Sequence, residues 1–540
     1  MSTQPIARDP VEADLPNPPP SPLGHHMARR FALTAAIALL ALTPRLLYLF
    51  AAGDPQNAGD GMTDTYHHWQ IGYLTQQVGL SHDLRLWDLK GLEYFWGVLH
   101  PIMLVILFWL TRSVDLIIPR LLSIGAGTLS VVLLFHLCRR YWGNQVAWAA
   151  TVFAALAPPV VFTETLGMVE PLAVALVLLG IWWSPSRGFL AGVSWALAAM
   201  ARAEAWLATF GLLIATVPPR VRSVRRMPLV IGWTLAIGAY MNLLLIRTGN
   251  PIYPVYWEFL VEGTGRWLAP ATSSQVQYKL VFAVLLLASG AGLLWTLWRK
   301  PTGYLLLCYG FGSTAFVLGL LAFTPFISSW SGWVWRMRLL VFSLEFGAVL
   351  AAIAIFVLLP RYAGHPFRFG AWVGAAVAVI AAQLTWIPIQ SAYNETAATW
   401  HETLASGRYL AGLYNQQAHH WGTLNIPADQ PDLTYSLVRF GGVRGGDLVG
   451  QLYDPFYDRP PSYRYAGHRA AASQAMACWL KSTRTSIFVV PTSNQNYVGF
   501  LTDNAGDFTE IGRVTERGWL VESINSAAIA ATCLQSGVRQ

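Results

Sequence analysis

The chain has 540 residues, of which 54% are hydrophobic and 12% charged; a soluble domain usually carries about 25% charged residues. Its formal net charge is +8, but the basic residues gather in short loops between apolar runs. That is the positive-inside pattern of a membrane protein and not a nucleic-acid footprint. Repeated apolar runs of about 20 residues, the length of a bilayer crossing, exclude a soluble globular protein.

In chain order, residues 1–28 are polar and Pro-rich (PNPPPSP) and read as a disordered cytosolic tail. Arg29 and Arg30 then precede an apolar run over 31–50. The run is long and lacks a small-residue cleavage site after it, so it reads as a retained anchor. The cytosolic markers are Arg139-Arg140, Arg187, PPRVRSVRR (218–226), Arg299-Lys300, and Arg361 with Arg368. With these inside, the sequence predicts spans near 31–50, 116–138, 145–162, 169–184, 188–203, 205–217, 228–247, 279–298, 303–323, 339–359 and 369–389. That makes about eleven crossings, with the N-terminus in and the C-terminus out. The run 97–110 (GVLHPIMLVILFWL) is short and holds Pro101. Counting it as a crossing would put Arg139-Arg140 outside, so it reads as an interfacial or re-entrant helix. The runs 188–203 and 205–217 are also short, and one long tilted helix is an alternative for them.

This divides the chain into a transmembrane module over 29–390, with a first outer loop over 51–115, and a soluble extracytoplasmic domain over 391–540. In the latter, SIFVVP (486–491) reads as a strand and FTEIGRV with GWLVESI as a hairpin-like pair. The domain carries no catalytic motif and reads as a cap or acceptor-docking unit. Cys478 and Cys533 could pair there, since oxidising compartments allow disulfides; Cys138 and Cys308 lie in apolar spans and read as packing residues.

The stretch GDGMTDTYHHWQIG (59–72) places acidic groups just outside the first span. Thr63 or Asp64 precedes a helical pattern that ends at Gly79, so one reading of Asp64 is a helix N-cap. On that helix His67 and His68 fall three and four residues later, on the same face. There they could orient the carboxylate or hold a divalent metal, which the pattern leaves open. Cations come from distant segments: Arg120 near the outer end of its span, Arg202 with Glu204 in MARAEAW, and Arg336 and Arg338 in WSGWVWRMRLLV. Ionisable groups at membrane depth are paired or functional. The structural alternatives are an Arg202–Glu204 pair, snorkelling of Arg336 and Arg338 beside Trp330, Trp333 and Trp335, and a satisfied interfacial histidine at His100. Taken together, a loop carboxylate ringed by cations fits group transfer from a phosphate-bearing lipid. The leaving phosphate needs cationic stabilisation and the acceptor hydroxyl needs a base.

The ordered segments TDTYHHWQIGYLTQQVG, LHPIML, PRLLSIGAGTLSVVLLFHLCRRYWG, LAPPVVFTETLGMVEPLAVALVLLGIW and GVSWALAAMARAEAWLAT resemble the GT-C class of integral-membrane glycosyltransferases. The likeness is to the protein O-mannosyltransferase and aminoarabinose-transferase branch; it covers 30–210 and continues more loosely to 390, and TGNPIYPVYW (248–257) is similar to a loop of bacterial members. The resemblance implies a polytopic α-helical, GT-C-like fold in a bacterial-type plasma membrane. It implies a polyprenyl-phosphate-sugar donor, an inverting transfer to a glycan, lipid or protein hydroxyl, and a catalytic Asp in the first outer loop. Asp64 matches that Asp, with Asp60 as runner-up. Thr65 stands where relatives often carry Glu, which leaves Asp60, Glu164 and Glu170 as candidates for a second acid. Arg120 matches the arginine on the lipid phosphate, and His100 sits where relatives have Lys or His, with Ile102 replacing a second proline. Arg336 and Arg338 are expected on the same phosphate. A transporter or flippase of a lipid-linked glycan is the alternative, although no internal repeat is evident and the charges group at one face. A non-catalytic polyprenyl-lipid-binding protein is a third reading, and it makes Asp64 dispensable.

Overall fold

The computed structural model describes residues 22–52, 56, 63–81, 84–86, 92–217, 225–257, 276–323, 330–360, 386–416, 422–427, 430–450, 454–456 and 469–534. Its helices follow the apolar runs. They are α1 (Pro22–Leu47), prolonged by a π turn over Tyr48–Ala52, α2 (Thr63–Gln77), α3 (Leu92–Phe95), α4 (Leu99–Thr111), α5 (Ile117–Trp142), α6 (Asn144–Leu156) and α7 (Pro158–Glu164). After these come α8 (Glu170–Trp183), α9 (Gly188–Ala201), α10 (Ala203–Ala215), α11 (Arg226–Thr248), α12 (Tyr253–Tyr256), α13 (Val276–Arg299), α14 (Tyr304–Phe323) and α15 (Trp330–Ile353).

Two breaks shape the middle of the module. The run expected to cross at 145–162 bends by 60° between α6 and α7. Pro158 and Pro159 supply no backbone donors, and the residue before a proline is pushed out of the helical region; Ala157 is accordingly extended at φ −63°, ψ 120°. The second break is at Arg202, extended at φ −154°, ψ 140°, which separates α9 from α10. The alternative of one tilted helix over 188–217 therefore does not hold.

Among the described residues six helices are long and apolar enough to cross a bilayer, or seven if the bent pair is one span. The expected crossings 169–184, 188–203 and 205–217 form helices of 14, 14 and 13 residues. At about 1.5 Å per residue each spans roughly 20 Å, short of the ~30 Å hydrocarbon core. The expected crossing 369–389 lies mainly outside the described residues. The expected interfacial run is α4, of 13 residues. It buries His100, Pro101, Leu104 and Phe108 against α2 and exposes Ile102, Ile106, Trp109 and Leu110.

Without a hydrophobic drive between helices in lipid, close packing needs small residues. Helices α9 and α11 use glycine for this. A Cβ on Gly192 would lie 2.0 Å from the Leu229 carbonyl oxygen, and one on Gly232 would lie 2.3 Å from that of Phe189.

A long helix, α16 (Trp386–Gln416), leads into the C-terminal domain. That domain contains β1 (Thr423–Ile426), α17 (Pro431–Arg439), β2 (Leu448–Gly450), α18 (Arg469–Ser482), β3 (Thr485–Pro491), α19 (Gln495–Asp503), β4 (Phe508–Val514), β5 (Trp519–Ile524) and α20 (Ser526–Leu534). The sheet order is β2-β1-β3-β5-β4, with β1 parallel to β2 and β3, and β5 antiparallel to β3 and β4. The expected strand and hairpin are β3 and β4–β5. Alternation along β3 supplies two cores: Ile487 and Val489 pack with Leu410, Leu433 and Val521, while Phe488 and Val490 pack with Phe456 and Phe500. Cys478 and Cys533 are joined in a disulfide, with Cα atoms 4.8 Å apart. Cys138 and Cys308 are free and buried, as their apolar setting predicts.

Candidate active site

The site is built around the start of α2, the helix read from TDTYHHWQIG. Its position is set from two sides. On one, Gly72 lies against Leu104 of α4, and Trp69 Nε1 donates to the Val114 carbonyl at 2.6 Å. On the other, α17 of the C-terminal domain packs against it. The Tyr435 ring stacks edge-on against Trp69, and its hydroxyl donates to Gln56 Oε1 and accepts from the Leu116 N–H at 3.2 Å. Farther along, the Gly445 N–H donates to the Tyr73 hydroxyl at 3.0 Å. Arg439 pairs with Asp115, the acid near Arg120 in sequence.

Asp64 occupies the first turn of this helix. Its carboxylate accepts a 2.7 Å hydrogen bond from Arg338 Nη1 of α15. Arg338 Nε lies 3.6 Å from Glu170 Oε1 at the start of α8, and Arg202 Nη1 lies 3.5 Å from the same oxygen. Arg202 also grips Glu204 with two parallel bonds, at 2.8 and 3.0 Å. The helix break at Arg202 thus serves to turn this fork toward the cluster. Glu170 accepts no hydrogen bond from the described residues. Five charged side chains from four separate segments meet here, and their solvent exposure runs from 5% at Arg338 to 18% at Glu204.

Glu170, Arg202, Glu204 and Arg338 border a cavity of about 510 Å³ between α8, α10, α13, α14 and α15. The rest of its wall is mainly apolar, with Val174, Leu207, Leu212, Leu293, Phe316 and Phe342 among its members. These four charged side chains thus stand against a wall that is otherwise mostly apolar.

Burial would raise the Asp64 carboxyl, but the charge and hydrogen bond of Arg338, helped by His67 and Arg202, outweigh it and hold the group below the usual carboxylate range. His67 lies beside Trp96, with ring centroids 5.3 Å apart. His68 turns away from the carboxylate, toward Trp96 and His100, whose ring centroid is 5.2 Å from its own. Burial, then the neighbouring His100, Arg202 and Arg338, push His68 well down, and burial pushes His100 down to about 3. The nitrogens of both rings make no hydrogen bond with the described residues. Among the described residues no cluster of three or more His, Cys, Asp or Glu side chains has metal-site geometry.

The other expected residues are distributed as follows. Arg120 is buried in the first turn of α5, where its Nε donates to the Thr165 carbonyl at 2.7 Å and so braces the turn after α7. It is not part of the cavity wall. Glu164 lines the cavity but pairs with Arg45 of α1, away from the Asp64 cluster. Of the candidate second acids among the described residues, Glu170 is the one that shares an arginine with Asp64. Asp60 and the side chain of Arg336 lie outside the described residues.

Arg45 and Glu345 are fully buried ionisable residues of the helical module that the sequence pattern does not single out. Arg45 is fully enclosed; it bonds Glu164 and the carbonyls of Ala41, Ala154 and Ala155. Glu345, two turns beyond Arg338 on α15, is also fully buried and feels the charges of Glu164 and Arg45. A signal is present in LTPRLLYLF and FSLEFG, each a single charge inside an apolar run. Neither charge marks the end of a span, where the loop and mouth patterns direct attention.

No family model matches the sequence, and no curated protein matches it. Solved structures do match in shape. ArnT from Cupriavidus metallidurans bound to undecaprenyl phosphate superposes with a TM-score of 0.51 at 14% identity, covering 93% of this chain and 99% of that one. Its apo form gives the same TM-score and coverage at 13% identity. The apo oligosaccharyltransferase of Archaeoglobus fulgidus covers 85% of this chain and 69% of its own, with a TM-score of 0.49 and 12% identity. With its bundle of apolar helices, its acid-bearing helix after the first span and its C-terminal mixed sheet, the chain is an integral membrane protein with the fold of the GT-C glycosyltransferases.

Proposed function

We propose that this protein is a glycosyltransferase that moves a sugar from a polyprenyl-phosphate-sugar donor to a hydroxyl acceptor at the outer membrane face. One observation carries the reading: an apolar cavity within the helical module ends at Arg338 and Arg202, and Arg338 holds Asp64. A prenyl chain suits the apolar wall, and its phosphate suits the guanidiniums, which bind phosphate as a fork. The undecaprenyl phosphate held by the structurally similar ArnT supports that donor class.

In the proposed reaction the acceptor oxygen attacks the anomeric carbon on the face opposite the phosphate. Asp64 takes the acceptor's proton as that bond forms. The bond from carbon to phosphate oxygen breaks, and the phosphate leaves with the electron pair, its charge met by Arg338 and Arg202. Inversion follows from the single displacement. Because phosphate leaves without a strong acid, one carboxylate suffices. Hydrolysis of an ordinary glycoside would call on two. In this reading residues 29–390 are the catalytic module and 391–540 an extracytoplasmic domain that grips α2. The Cys478–Cys533 disulfide supports that orientation, since such bonds persist in oxidising compartments.

The test is mass spectrometry of envelope glycans from cells with the gene, without it, and with Asp64→Asn. A sugar present only with the intact protein is the expected result. Full modification in Asp64→Asn cells would remove Asp64 as base. The flippase alternative draws on the broken helices α6–α7 and α9–α10; it expects transport of a lipid-linked glycan by purified protein in vesicles, with Asp64→Asn unimpaired.

A further inference from the structure

Among the described residues, the charges beside the cavity do not add up to a ready phosphate site. Among the described residues three carboxylates, Asp64, Glu170 and Glu204, face two guanidiniums, Arg202 and Arg338. Arg202 has both arms of its fork committed to Glu204. Arg338 gives its Nη1 to Asp64 at 2.7 Å. A phosphate entering this end of the cavity brings further negative charge into a partly enclosed, weakly screened place. It needs a guanidinium whose present partner can give way. Glu204, held by two bonds, is the costlier one to displace; Asp64 is held to Arg338 by one.

We infer that Asp64 and the donor phosphate compete for Arg338, so that the Asp64–Arg338 pair is a resting lock that donor binding opens. This rests on the donor reading above and adds a regulation of the same site. While the lock is closed, the carboxylate is neutralised by the guanidinium and is a poor base. When phosphate takes Arg338, Asp64 loses that cation and becomes available, and more basic, at the moment a sugar is in place. The arrangement dictates an order: donor first, acceptor second. It also explains why the base and the phosphate-binding cation should be in contact at all, since an unopposed base would be simpler for proton transfer alone. Glu170 sits 3.6 Å from Arg338 Nε without a hydrogen bond, which leaves it near enough to hold the arginine's place while the partners exchange.

The experiment is a double-mutant cycle on binding, read without turnover. Affinity for a polyprenyl monophosphate carrying no sugar is measured in detergent for the full chain and for Asp64→Asn, Arg338→Ala and the double variant. Asp64→Asn should bind about tenfold more tightly than the unaltered protein, the equivalent of one charge-assisted contact no longer competed for. In the Arg338→Ala background the same change should yield no gain. Asp64→Ala, assayed alongside with thermal midpoints for all variants, should behave like Asp64→Asn. Equal or weaker binding by both folded Asp64 variants overturns the lock while leaving the donor reading intact. A tenfold gain that persists without Arg338 also overturns it, because general charge reduction would then be the cause. Absence of binding in the unaltered protein and every variant overturns the donor reading and the lock with it.

Discussion

Two ionic clusters border the same cavity, and they are built on opposite principles. The pair Arg45–Glu164 is closed: both side chains are almost wholly buried, and the guanidinium spends its remaining donors on the carbonyls of Ala41, Ala154 and Ala155. It ties α1 to the bent pair α6–α7. The cluster of Asp64, Arg338, Glu170, Arg202 and Glu204 is open. The bonds that link its members run from side chain to side chain, the members are partly exposed, and Glu170 accepts no hydrogen bond from the described residues. A charge satisfied by fixed backbone cannot change partners, whereas a charge satisfied by another side chain can. The closed cluster is therefore suited to holding a bend, and the open one to chemistry.

Removing one partner should separate them most sharply. Arg45→Ala leaves Glu164 an uncompensated charge within the module and should cost about 3–5 kcal/mol, seen as a large fall in thermal midpoint and a loss of monodisperse protein in detergent. A midpoint close to the unaltered protein's would erase the distinction. Asp64→Asn should do the reverse. Turnover should fall by about 10²-fold or more, while the thermal midpoint falls far less than in Arg45→Ala because Arg338 keeps Glu170 beside it. An Asp64→Asn protein that turns over normally would make the open cluster as structural as the closed one.

A milder change sharpens the picture from the side of the closed pair. Gly127 of α5 leaves room for the Glu164 carboxylate: a Cβ there would stand 2.2 Å from it. Gly127→Ala should cost about 1–3 kcal/mol through overpacking, measured by thermal unfolding. An equally stable Ala variant would mean that Glu164 can move aside, and that the pair is less fixed than its burial suggests. The smallest effect concerns pH. Arg338 holds the folded-state Asp64 carboxyl below its ordinary value of 3.8. The pair's contribution is thus complete above that value and lost as the pH falls through the lowered one. The thermal midpoint of the unaltered protein should decline more than that of Asp64→Asn on acidification below pH 3.8. Parallel curves would show that the pair does not persist in solution.

Part of this arrangement is legible in the sequence. The spacing of TDTYHHWQIG puts Asp64 at the start of a helix, and Arg202 can be paired with Glu204 because both fall at one interruption of an apolar run. The strand β3 and the hairpin β4–β5 follow from local alternation. Other features are not legible, for specific reasons. Arg45 and Glu164 are 119 residues apart, so nothing local links them. His68 shares a face with Asp64 on a helical wheel, yet its ring turns to His100 and Trp96. Hydropathy counts 169–184, 188–203 and 205–217 as crossings, but the helix break at Arg202 and the length of α8 are matters of backbone geometry.

What the sequence determined by itself is set by solvent and by short range: which runs shun water, which loops carry the positive charge, where prolines stop a helix, and that an acid stands just beyond the first span. Those properties depend on a residue and its near neighbours along the chain. Beyond the local pair of Arg202 and Glu204, which arginine neutralises which carboxylate was decided by the tertiary structure. The strength of an ion pair depends on distance and on what surrounds it. Both are fixed only when α2, α8, α10 and α15 are packed around one cavity, with the C-terminal domain pressing α2 into place.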